Sequence, residues 1–158
     1  MPRAPFIVRE LRLRDGAGVE VRPLTSGETK ALARFDANLG AASRAFFLPH
    51  AYDENTLARH VARHARGTDL SLVAAAGKDI VGYAFLWEFD QQFPLLGLGV
   101  ADAWQGRGLG NVLLRSMLDV ARTNGVQIAV ANILAENARS PALFHGLGLA
   151  ERSKLQNG

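Results

Sequence analysis

Apolar residues first recur at every second position: Leu11 and Leu13 alternate with Glu10, Arg12 and Arg14. Asp15-Gly16-Ala17-Gly18 supplies turn chemistry, and Val19 and Val21 then alternate with Glu20 and Arg22, which predicts a β-hairpin. Thr25 followed by Glu28 has the spacing of a capping box opening a helix, with Leu32, Phe35 and Leu39 on its apolar face and Gly40 as its stop. Asp53 opens a second helix, with Leu57, Val61 and Ala65 on one stripe and Gly67 at its end. Three strands are predicted next, at Leu70–Ala76, Ile80–Trp87 and Leu95–Val100. Gly77-Lys78-Asp79 joins the first pair tightly and Pro94 introduces the third. From Gly108 to Asn124 the rhythm changes to i, i+3, i+4, through Leu109, Val112, Leu113, Met117, Val120 and Ala121, which marks the strongest helix. Gly125 breaks it, Val126–Ala131 is a further strand, and a short helix ends before Gly148, leaving room for one short final strand at most.

This order predicts an α/β or α+β layer protein with a mixed sheet, in which Leu95 to Ala131 forms a right-handed parallel crossover. The 158 residues fit a single domain over 1–158, with residues 1–5 as a flexible tail. The absence of cysteine excludes disulfides, thiolate metal sites and cysteine nucleophiles. No apolar run approaches the roughly 20 residues of a membrane-spanning helix. Arg9 and Glu10 interrupt any signal-peptide core, so a cytoplasmic protein without membrane attachment is expected. The net charge of +3 is carried by scattered arginines rather than a basic stripe, which argues against nucleic acid as a partner.

The chemistry concentrates in Val100-Ala101-Asp102-Ala103-Trp104-Gln105-Gly106-Arg107-Gly108-Leu109-Gly110, which leaves a strand and enters the strongest helix. The first N–H groups of a helix lack internal acceptors and carry partial positive charge. Glycines at 106, 108 and 110 let the backbone approach a ligand closely, so the stretch reads as a phosphate or pyrophosphate cradle. It is not a Walker loop, for the required Lys is missing, nor the dinucleotide fingerprint, for Asn111 stands where the third glycine should fall. A glycine-rich turn with no ligand is the other reading of the same residues.

Gln105-x-x-Gly108-x-Gly110, directly after a strand ending in Val100, resembles the acetyl-CoA motif of the GNAT acetyltransferases. Downstream, Glu136-Asn137 followed by Leu143-Phe144-His145-Gly146-Leu147-Gly148-Leu149 is similar to the family's Glu-Asn, short helix and Leu-Gly-Phe ending. Leu13-Arg14-Asp15-Gly16 with Val21-Arg22-Pro23-Leu24 looks like the hairpin of the branch containing bacterial protein-lysine acetyltransferases. The resemblance spans Leu11 to Leu149. It implies a GNAT-like, mostly antiparallel sheet flanked by helices, with a splayed parallel strand pair binding CoA. It also implies roles for residues. Backbone groups of Leu98, Gly99 and Val100 would pair with the pantetheine arm, one of them polarising the thioester carbonyl. The N–H groups of Gln105, Gly106, Arg107, Gly108, Leu109 and Gly110 would hold the pyrophosphate, and Asn137 would meet the pantetheine region. Gly97 and Gly99 lie inside a strand, which marks either close approach by a ligand or a crowded packing site.

The activity implied is transfer of an acetyl group from acetyl-CoA to a primary amine, on a protein lysine or a small molecule, by direct attack in a ternary complex. The alternative is a catalytically silent CoA-binding regulatory domain. The amine must lose a proton to a base and the developing oxyanion needs a donor. Two side chains common in the family are missing: Leu95 replaces a glutamate and Phe144 a thiol-protonating tyrosine. Substitute bases must be nearby acids, of which Glu88 is the candidate catalytic residue, with Asp90 beside it; a solvated strand-end carboxylate is the plainer reading of Glu88. Asp102 is expected to fix the loop, Glu136 to support Asn137, and His145 to lie on the surface. His60 and His64, at i and i+4, lack a third ligand, so no metal is expected. Phe46-Phe47-Leu48-Pro49-His50 is either a wall over the acceptor site or core, and so are Tyr83 and Trp87. Arg107 either pairs with a CoA phosphate or is a free loop arginine. The abbreviated last strand suggests an exposed edge and a homodimer.

Overall fold

The computed structural model describes residues 6, 8–47 and 50–131. Expectations for residues 1–5, Leu48, Pro49, Glu136, Asn137, Phe144 and His145, for the short helix before Gly148 and for the final strand lie outside the described residues. The hairpin forms as the alternation predicts: β1 (Arg9–Arg12) pairs antiparallel with β2 (Gly18–Pro23), Leu11 opposite Val19. Asp15 Oδ1 accepts the Ala17 N–H at 3.0 Å and Gly16 takes φ 84°, which closes the turn.

The first helix, α1 (Thr29–Ala37), is capped by Glu28 rather than Thr25 and so begins three residues later than the capping-box spacing suggested. The Glu28 carboxylate does accept the Thr25 N–H, at 2.8 Å, but it also takes the Arg22 guanidinium. The segment therefore folds as a turn tied back to β2 rather than as helix. Gly40 does not stop α1, whose cap is Asn38; it is instead the N-cap of α2 (Ala41–Phe46), a helix the pattern did not signal. Six residues are too few to display a helical period. The helix α3 (Glu54–Arg66) matches expectation: the Asp53 side chain accepts the Thr56 N–H at 3.0 Å, and Gly67 at φ 83° ends it.

β3 (Leu70–Ala76), β4 (Asp79–Trp87) and β5 (Leu95–Val100) complete an antiparallel sheet in the order β1-β2-β3-β4-β5. A short 3₁₀ turn, Asp102–Trp104, leads into α4 (Leu109–Thr123). The expected strand Val126–Ala131 is reduced to one parallel bridge, Leu95 with Val130. There the Leu96 N–H donates to the Val130 carbonyl at 2.7 Å and the Val130 N–H to that of Pro94 at 2.9 Å.

The sheet is buried on both faces. Leu109, Leu113 and Met117 of α4 pack with Leu72, Ala84 and Leu86. On the other face Leu32 and Phe35 of α1 and Leu57 and Val61 of α3 cover Val73, Tyr83 and Phe85. This two-sided burial explains why β3 and β4 read as continuous apolar runs rather than alternating ones. Among the described residues no helix is long and apolar enough to cross a membrane.

Candidate active site

The glycine loop leaves the end of β5 and enters α4 with two left-handed glycines, Gly106 at φ 73° and Gly108 at φ 89°. A side chain is disfavoured at both, and a Cβ on Gly106 would meet nothing within 4 Å, so open space lies above it. Gly108 is the N-cap of α4, and its carbonyl accepts the first helical bond, from the Val112 N–H at 3.2 Å. The N–H groups between them precede any intrahelical acceptor. The start of α4 has no acidic residue in its first turn and no side-chain cap, whereas α3 has Asp53 and Glu54 there. No acid in its own first turn offsets the partial positive charge of this helix end.

The loop is braced from α2. Gln105 Nε2 donates to the Val100 carbonyl and to Ser43 Oγ, both at 3.0 Å. Asp102 Oδ1 accepts the Gly40 N–H at 3.1 Å, and a Cβ on Gly40 would strike that carboxylate. Asp102 thus fixes the loop as expected. Arg107 pairs with Asp15 at 3.2 Å and lies 4.9 Å from the centre of the Trp104 ring, so it is not a free loop arginine. Arg14, at the hairpin tip, places its Nε 3.6 Å from the position a Gly108 Cβ would take. Alternation marks Arg14 only as a polar-face residue of the hairpin, and no motif singles out Ser43.

Leu98, Gly99 and Val100 pair on one side with Ala84, Tyr83 and Gly82 of β4. Beyond the Leu95–Val130 bridge, their other edge meets no strand among the described residues, so its backbone groups can pair with an extended ligand. Gly97 and Gly99 answer to packing on the α1/α3 face: a Cβ on Gly97 would fall within the Phe85 ring, and one on Gly99 within the Phe47 ring.

Glu88 is exposed and follows Trp87, the cross-strand partner of Leu95. It lies at the end of the sheet opposite the glycine loop, about 17 Å along β5. Its backbone takes φ 53°, and its N–H donates to Asp69 Oδ1 at 3.0 Å. Asp69 is buried and also receives Arg63 Nε at 2.6 Å and Nη2 at 2.8 Å. Asp90 is exposed in the same turn.

His60 and His64 turn to different partners. His64 Nδ1 accepts the Ser71 N–H at 3.0 Å, whereas the His60 ring stacks between His50, at 4.1 Å, and Trp87, at 5.0 Å. Among the described residues no group of histidines and acids could hold a metal. Phe85, Trp87, His60, His50 and Tyr52 form a continuous column of rings, and His50 Nε2 lies 3.3 Å from the Tyr83 hydroxyl. Burial lowers the pKa of His50, and burial followed by the neighbouring His50 lowers that of His60 to about 4. Tyr52 and Tyr83 are pushed upward by burial. Phe47, Tyr83 and Trp87 therefore belong to packed core and its margin.

A model of the acetyltransferase (GNAT) family matches residues 30–149. The chain is 34% identical over 107 residues to the L-methionine sulfoximine/L-methionine sulfone acetyltransferase of Salmonella typhimurium, covering 65% of this chain and 62% of that protein. It spans from about half to three-fifths of the length of the relatives it matches. The GNAT domain of the S. lividans protein PAT has a similar fold, with a TM-score of 0.83 at 22% identity over 96% of this chain and 92% of that one. The Salmonella typhimurium protein yncA, solved with its cofactor acetyl-CoA, is 28% identical with a TM-score of 0.69, over 85% of this chain and 81% of that one.

Proposed function

The chain belongs to the GNAT acetyltransferase family, and from that premise we propose that it transfers an acetyl group from acetyl-CoA to a primary amine by direct attack in a ternary complex. One observation carries the reading: the start of α4 is an open, glycine-lined helix end that no acid of its own first turn neutralises. That end suits a diphosphate, and the edge of β5 beside it, which beyond the Val130 bridge meets no strand among the described residues, suits an amide-bearing arm. Acetyl-CoA, when bound, supplies the activated acyl thioester. In this reading the N–H groups from Gln105 to Gly110 hold the diphosphate, and Leu98, Gly99 and Val100 align the arm. A β5 N–H donates to the oxygen on which charge develops. Asn137 would meet the arm from outside the described residues.

The attacking amine must be neutral, and Glu88 is our proposed proton acceptor. An arm running along β5 from the glycine loop heads toward Leu95, and Glu88 follows the residue paired with Leu95. The acceptor is a protein lysine or a small-molecule amine. A homodimer is part of the proposal, since β1 is an exposed sheet edge, as is a cytoplasmic protein acting on neither nucleic acid nor membrane. A silent CoA-binding domain is the second reading, favoured by Leu95, which cannot move a proton.

Acetyl-CoA at millimolar concentration is expected to raise the melting temperature, and free thiol should appear when lysine peptides or small amines are added. Absence of stabilisation removes both readings; stabilisation without thiol release leaves the silent domain. Glu88→Gln should lower kcat while sparing cofactor affinity, and an unchanged kcat removes Glu88 from the mechanism.

A further inference from the structure

Two arginines stand at the start of α4, where partial positive charge already gathers, and this is the wrong sign for stability unless something negative joins them. Their situations differ. Arg107, which the loop sequence singles out, has its charge answered by Asp15 at 3.2 Å and its face covered by Trp104. Arg14 is exposed and makes no ion pair among the described residues, yet its backbone is fixed from both sides. Leu13 before it is buried, and its N–H donates to the Ala17 carbonyl at 2.9 Å. Asp15 after it is held by the Ala17 N–H and by Arg107. The hairpin thus presents a guanidinium beside Gly108, with Nε 3.6 Å from where a Cβ would stand, while using its own acid to occupy the loop's arginine.

The geometry points to Arg14 as the side chain that grips a phosphate of the CoA carrier, an inference that rests on the acetyl-CoA reading above. A guanidinium offers paired N–H donors that match two phosphate oxygens, which a lysine cannot reproduce. CoA carries such oxygens in its diphosphate and in the monoester on its ribose, and the contact chemistry is the same for both.

Calorimetric titration of the full chain with CoA and with dephospho-CoA, which lacks the ribose phosphate, tests this. Arg14→Gln is expected to weaken CoA binding about tenfold or more, with Arg14→Lys in between. If the contact is to the ribose phosphate, Arg14→Gln leaves dephospho-CoA affinity unchanged; if to the diphosphate, both ligands lose equally. Asp15→Asn keeps the oxygen that accepts the Ala17 N–H but frees Arg107, and is expected to tighten CoA binding severalfold, a gain that a misfolded hairpin cannot produce. Arg14→Gln binding CoA as tightly as the parent overturns the role of Arg14 alone. A parent chain that does not bind CoA overturns the acetyl-CoA reading, and this inference with it.

Discussion

At Gly97 a single added carbon would occupy space already filled by the Phe85 ring, which also stacks on Trp87 at 4.1 Å. Gly97→Ala is therefore expected to cost about 1–3 kcal/mol of stability through overpacking. In urea unfolding, Gly97→Ala combined with Phe85→Leu should recover part of that loss. Additive losses would mean that the ring does not set the need for glycine. The sequence marks Gly97 and Gly99 as unusual because strands seldom hold two glycines so close together. It leaves open whether a ligand or a ring claims the space, since Phe85 and Phe47 lie 12 and 52 residues away in the chain. Arg14 was hidden for the same kind of reason. Nothing about an alternating strand end tells that it will stand beside Gly108, 94 residues on.

Helices of several turns and strands set off by turn residues were legible in advance: α4 within a residue, β3 and β5 to their ends, α3 from its Asp53 cap to Gly67. The shortest helix was not. The helix α2 has six residues, too few to be stable alone, so tertiary contacts must hold it. Arg44 ties it to Asp36 of α1, and two further tethers, the Gly40 N–H on Asp102 and Ser43 Oγ on Gln105, reach the loop before α4. Gln105 thus serves as a brace linking α2, the end of β5 and the glycine loop. Gln105→Ala removes two hydrogen bonds, and the expected cost is about 1–2 kcal/mol. Hydrogen exchange should quicken together across residues 41–46 and 101–108. Faster exchange in the loop with α2 unaffected would show that the brace does not reach the helix.

On the scale of the molecule, the two faces of the sheet differ in how they meet acid. Among the described residues the buried core on the α4 face is aliphatic, with nothing to titrate, whereas the α1/α3 face ends in the column of rings with two neutral imidazoles stacked at 4.1 Å. His60, held near pKa 4 by burial and by His50, has an unfolded value near 6.5. Asp69 favours its charged form, while Arg59 and Arg63 oppose it; Asp36 and Asp53 favour charge on His50, whose pKa burial still lowers. Between pH 6.5 and 4 the unfolded chain binds more protons at His60 than the folded one. This contribution is therefore complete above pH 6.5 and is lost as pH falls toward 4. His60→Phe keeps a ring in the column, removes the titration and deletes the buried Nδ1 that has no hydrogen-bond partner among the described residues. The variant should match or exceed the parent at neutral pH and lose less melting temperature on acidification to pH 4. Carboxylates titrate in both proteins, so the difference between the two curves isolates the imidazole. Parallel curves would show that protons do not enter the fold through this column. Divergent curves, with hydrogen exchange rising first in α1 and α3 while α4 stays protected, would show that acid opens the molecule from the face opposite α4.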